Sequence, residues 1–180
     1  MPPWVIHDKW ALGLGINQEI SKEVNLLIDF PEKWFEEKYS DEDFEAHRFS
    51  ELIDHPDPCI SFFGLSKGFG KFGHDMGRRR KWQRDLQLEC VYKHYGIQGV
   101  KATILHHILD YAERIYWLGE EEILKRVYKR FENVLLYPSR LNSIELNAIS
   151  RAVSEVLEFV KCNIGDIIDD LRRYCGRSIH

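Results

Sequence analysis

The chain has 180 residues, 44% apolar, 13% aromatic and 30% charged, a balance that suits one folded core and excludes extended disorder. Its net charge of −4, from 25 basic and 29 acidic side chains, excludes an indiscriminate polyanion coat. That charge is unevenly spread: residues 1–60 carry a net −9, residues 61–101 a net +6 and residues 102–180 a net −1.

No apolar run approaches the roughly 20 residues that span a bilayer, and Met-Pro-Pro-Trp lacks the charged and apolar stretches of a signal peptide. The expectation is a cytoplasmic protein with no membrane partner. Cys59, Cys90, Cys162 and Cys175 are widely separated and form no Cys-x-x-Cys pair, which predicts reduced thiols.

In chain order, Pro2 and Pro3 open a first helix that ends at Gly13–Gly15, and Asn17 offers an N-cap for Glu19 to Phe30. Pro31 starts a short piece. Ser40 followed by Asp41, Glu42 and Asp43 predicts a helix to about Asp54, stopped by His55-Pro56-Asp57-Pro58. Glycines at 64, 68, 70, 73 and 77 among Phe62, Phe63, Phe69 and Phe72 predict a long Gly-rich loop, or a loop around one short element, over 56–82. Helix returns from Gln83 to Tyr95, with Gly96 as its stop, and again from Gln98 to Leu118 before Gly119. Val100, Ile104, Ile108 and Ile115 mark one buried face of that second helix. Glu120 to Tyr137 repeats the pattern, Asn142 or Ser143 caps a long helix, and Asn163–Gly165 predicts a break before a short last one. The fold class is all-α, a single-domain bundle over residues 1–180 of about seven or eight helices.

Two polar clusters carry chemistry. His74-Asp75 closes the Gly-rich segment, and His106-His107 precedes Asp110 by one helical turn, so imidazole and carboxylate share a face. Such donors suit a divalent ion of the Mn²⁺, Fe²⁺, Zn²⁺ or Ni²⁺ type, which activates water and neutralises phosphate charge. Beside the pair stand Arg78, Arg79, Arg80, Lys81 and Trp82, whose guanidinium, ammonium and indole groups suit phosphate oxygens and a base or ribose. The acidic residues between Glu36 and Glu45 are expected to form a solvated surface.

His74-Asp75-Met76-Gly77-Arg78, a helix, Tyr95-Gly96-Ile97 and then Ile104-Leu105-His106-His107 resemble the middle of the HD-domain superfamily over about residues 70–115. The resemblance implies an all-helical metal-dependent phosphohydrolase. His74 and Asp75 match the adjacent metal ligands, with Asp75 also orienting water. His106 or His107 matches the additional histidines, and Asp110 is the candidate for the last aspartate. The earlier histidine of the family is His47 or, alternatively, His7. The metal implied is Mn, Fe, Zn, Ni or Mg. Arg78, with Arg79 or Lys81, would stabilise charge on a nucleotide or other phosphorylated small molecule.

Two other readings stand beside this one. Residues 67–84 suit a helical nucleic-acid-binding module, and the apolar helix faces or the acidic first third suit a non-enzymatic interaction protein, including a homo-oligomer.

Overall fold

Short polar side chains and prolines set where the helices begin. The computed structural model describes residues 2–39, 48–68, 81–131 and 140–175, and those residues form eight α-helices and one short 3₁₀ turn, with no strand among them. Helix α1 spans Trp4–Gly13 after Pro3, and α2 spans Gln18–Asp29, where the Asn17 side chain accepts the Glu19 N–H at 2.7 Å. Helix α3, Pro31–Lys38, starts on a proline whose missing N–H costs nothing in a first turn. Helix α4 is Phe49–Ile53, opened by the Arg48 N–H donating to the Glu51 carboxylate at 2.9 Å.

The segment expected to be a loop, or a loop around one short element, contains an 11-residue helix, α5, over Pro58–Gly68. The Asp57 carboxylate caps it, accepting the Cys59 N–H at 2.9 Å. Cys59 to Leu65 are all buried, so no apolar stripe of helical period exists to be read in the sequence. Gly64 has a packing reason: a β-carbon there would lie 2.5 Å from Leu52 Cδ2, so α4 and α5 approach too closely for any side chain. The burial of Phe62, Phe63 and Leu65 outweighs the glycine cost of about 1 kcal/mol.

Helix α6 runs Lys81–Glu113 and is two helices joined by a sharp bend at Gly96, whose φ of 59° and ψ of −148° suit glycine and which lets the two halves touch each other. The second half ends five residues before Leu118, and a 3₁₀ turn over Tyr116–Leu118 leads to α7, Glu120–Phe131, which carries three glutamates in its first turn. Helix α8 spans Ser143–Cys175, capped by Asn142, whose side chain accepts the Ile144 and Glu145 N–H groups. The expected break at Asn163–Gly165 does not occur. Asn163 donates to the Phe159 carbonyl one turn back, and Gly165 lets α7 come close, since a β-carbon would sit 3.3 Å from Glu120 Oε1.

Helix α6 is the hub, packing against α1, α2, α5, α7 and α8. One apolar cluster runs from Ile6 to Leu171, with Trp34, Phe62 and Phe131 among its largest fully buried side chains. Trp34 Nε1 donates to the Tyr95 hydroxyl at 2.8 Å and Tyr95 donates to Glu23 at 2.8 Å, tying α3, α6 and α2 together. Cys59 and Cys90 form a disulfide between α5 and the first half of α6, correcting the expectation of reduced thiols at these two positions. The placement of α5 brings their Cα atoms to 4.6 Å, which no sequence spacing foretells. Cys162 is a free, exposed thiol.

Candidate metal centre

Four ionisable side chains from three helices meet where α1 and α2 cross the second half of α6. His7 comes from α1, Asp29 is the last residue of α2, and His106 and Asp110 stand one turn apart on α6. All four side chains are almost wholly buried: the exposed fraction is 2% for His7, 1% for Asp29, 1% for His106 and 8% for Asp110. His7 Nε2 lies 3.5 Å from Asp110 Oδ1, His106 Nε2 lies 3.5 Å from Asp110 Oδ2, and the same nitrogen lies 3.5 Å from Asp29 Oδ1. One ligand atom from each of His7, His106 and Asp110 falls within 4.8 Å of the other two. The two imidazole rings face each other with centroids 4.0 Å apart.

These separations decide what the cluster is suited to. A hydrogen bond would bring nitrogen and oxygen to about 2.7–3.2 Å. Two donors each about 2.1 Å from a shared ion, at a tetrahedral angle, lie about 3.4 Å apart. The 3.5 Å separations of Asp110 from His7 and from His106 match the second figure. Both His7 nitrogens, Asp29 Oδ1, His106 Nε2 and both Asp110 oxygens are buried without a hydrogen-bond partner. Each such group costs about 1–3 kcal/mol if left so, and coordination of an ion would offset that cost.

The outer contacts fix how the inner atoms point. Asp8 Oδ1 accepts from the Ser21 hydroxyl at 2.7 Å and from Asn25 Nδ2 at 3.2 Å. A carboxylate only accepts, so the Asn25 amide nitrogen faces Asp8 and its oxygen faces His106 Nδ1, 2.8 Å away. His106 Nδ1 therefore carries a proton, and in the neutral ring the lone pair sits on Nε2, aimed at the two carboxylates. Trp4 Nε1 donates to Asp29 Oδ2 at 2.5 Å and leaves Oδ1 toward His106.

Without an ion, a proton takes the place of that lone pair. Burial opposes charge on His106, but the Asp110 and Asp29 carboxylates outweigh it and push the ring up to about 9. Burial and the adjacent His106 hold His7 below its usual value. Burial acts to raise Asp110, yet His106 and His7 hold it well below the carboxylate range, and His106 and Trp4 do the same, less strongly, for Asp29. One proton on His106 thus stands between two carboxylates.

Among the residues singled out from sequence, the structure brings together His7, His106 and Asp110. His107 is not one of the group: its Nε2 lies 3.0 Å from Gln87 Oε1, across the Gly96 division of α6. His47, His74, Asp75, Arg78, Arg79 and Arg80 lie outside the described residues. Lys81 and Trp82 open α6, and the role expected of their side chains lies outside the description as well. Sequence reasoning did not single out Asp29, Asn25 or Asp8. A signal for two of them existed, because Asn25 and Asp29 stand at i and i+4 beside the buried Val24, Leu27 and Ile28 of α2, where polar side chains need a reason.

Comparison with family models, with curated proteins and with solved structures finds no match to this chain.

Proposed function

We propose that the chain binds a divalent transition-metal ion through His7, His106 and Asp110, with Asp29 beside His106, and that the ion serves hydrolysis of a phosphoester, as in the HD-domain proteins its sequence resembles. The observation that carries the metal reading is the 3.5 Å spacing of buried nitrogen and oxygen atoms that lack hydrogen bonds. Two imidazoles with a carboxylate favour Mn²⁺, Fe²⁺, Zn²⁺ or Ni²⁺ over Mg²⁺, which prefers oxygen ligands and retained water. When bound, such an ion polarises water and neutralises phosphate charge. The chain's own part is orientation: Asn25 and Asp8 hold His106, Trp4 holds Asp29, and Asp110 stands between the two histidines. The basic segment Arg78–Lys81, with Trp82, is the phosphate-binding part of this reading on its sequence alone.

The burial of the cluster supports a second reading, in which the ion is structural and clamps α1 and α2 to α6. Metal analysis of protein purified without chelator, for the wild type and for His106→Ala, separates the outcomes when paired with hydrolysis of bis-p-nitrophenyl phosphate and nucleotides. The expectation is about one ion per chain, lost in His106→Ala together with hydrolysis. Wild-type protein that takes up no ion rejects both readings. A stoichiometric ion with no phosphoester hydrolysis leaves the structural one.

A further inference from the structure

The first half of α6 carries a different set of donors from the second. Cys90 and His94 stand one helical turn apart on it, and Cys59, the second residue of α5, lies opposite. One ligand atom from each of the three lies within 4.8 Å of the others. Both cysteines are completely buried and joined as a disulfide, while His94 is exposed at the rim. The ring of His94 is held in place: Nε2 lies 2.9 Å from the Tyr39 hydroxyl, and the ring meets the Trp34 edge at a centroid distance of 5.1 Å. With Nε2 engaged, Nδ1 is the nitrogen left to act as a ligand. The start of α5 is tethered independently, since Asp57 accepts from the Cys59 N–H, from Tyr39 and from Lys93. The two sulfur positions are therefore kept near each other by contacts other than the S–S bond.

We infer that reduction of the Cys59–Cys90 disulfide converts this cluster into a binding site for a thiophilic ion, Zn²⁺ above all, with Cys59, Cys90 and His94 as ligands. Two thiolates and an imidazole are a donor set that selects Zn²⁺ over the harder ions. The reductant is a dithiol. Its two thiols become one disulfide, the Cys59–Cys90 bond breaks, and the two electrons and two protons pass to the cysteine sulfurs. On binding the ion, both thiols release their protons to solvent and bind as thiolates. The covered sulfurs are reached by local opening at the start of α5. The site is independent of the imidazole–carboxylate cluster, which contains no sulfur.

Cobalt(II) is the probe, because thiolate coordination gives a sulfur-to-cobalt charge-transfer band in the near ultraviolet that nitrogen and oxygen ligands do not give. The full-length chain is reduced with dithiothreitol, freed of reductant under anaerobic conditions and titrated. The expected result is one equivalent of Co²⁺ with this band in the reduced chain, displaced by Zn²⁺, and no band in the oxidised chain. Loss of even an outer partner of a metal ligand costs about 10–100-fold in affinity, so His94→Ala, altered at an exposed position, should weaken binding at least tenfold. Cys59→Ser should abolish the band. Absence of the band in the reduced chain overturns the inference, as does a disulfide that cannot be reduced without unfolding. A band of unchanged affinity in His94→Ala, or one of unchanged affinity in Cys59→Ser, overturns it equally.

Discussion

The two halves of α6 each gather a histidine-containing polar cluster, and the clusters differ in how their donors are satisfied. Around His94 the described contacts are short and complete: a disulfide, a cap on α5, and Asp57 accepting from Tyr39 and Lys93. Around His106 the inner atoms stand 3.5 Å apart with no hydrogen bonds, and only their outer atoms are paired. The first cluster explains itself as a staple between helices. The second has its ligand atoms aimed inward by Asn25 and Trp4, an arrangement that suits an ion at its centre.

The contrast breaks most severely at His106. In metal-free protein His106→Gln leaves the buried Asp29 and Asp110 carboxylates without the cation between them, and stability at neutral pH should fall by about 3–5 kcal/mol. Urea unfolding with chelator present measures this, and a loss below about 1 kcal/mol would show that the four groups do not act together. The matching change at the other cluster is Cys59→Ser. A closed loop with a sequence separation of 31 residues gives an expected loss of about 4 kcal/mol, read from the same unfolding curves against the oxidised wild type.

A smaller effect sharpens the difference between inner and outer atoms. Asn25→Ala frees His106 to rotate, so metal affinity should drop about 10–100-fold, or about 1.4–2.7 kcal/mol, by competition with a chromophoric chelator. A change of equal size in the His94 cluster's Co²⁺ affinity would show that Asn25 acts on the whole fold instead.

The smallest effect is a slope with pH. Folded metal-free protein keeps the His106 proton up to about 9, while the unfolded chain loses it near 6.5. The folded state binds more protons between those values, so the contribution of His106 is fully present below 6.5 and is lost as pH rises toward 9. The slope should stay within about 1.4 kcal/mol per pH unit, one proton's worth. It should vanish in His106→Gln and under a saturating ion that occupies Nε2, as thermal unfolding across this range will show.

Much of this was legible in the sequence where a local rule applied. Asn17, Pro31, Gly96, Gly119 and Asn142 mark helix ends by capping and backbone geometry, and each does so in the structure. His106 and Asp110 share a face for the same local reason, the helical period. Helix α5 was not legible, because a helix covered on nearly all sides has no polar face to reveal its period. The continuity of α8 was hidden too, since the glycine that reads as a stop serves the approach of Glu120.

By itself, then, the sequence determined an all-helical chain, most of its helix boundaries, and one half of the candidate centre. Choosing His7 as a partner for His106, drawing in Asp29, sending His107 to Gln87 and closing Cys59 on Cys90 belonged to the tertiary structure alone. The physical reason is range. Caps and periodicity act over about four residues, whereas these partners are separated by 20 residues or more along the chain and meet only after α1, α2 and α5 have packed against α6 and α6 has bent at Gly96.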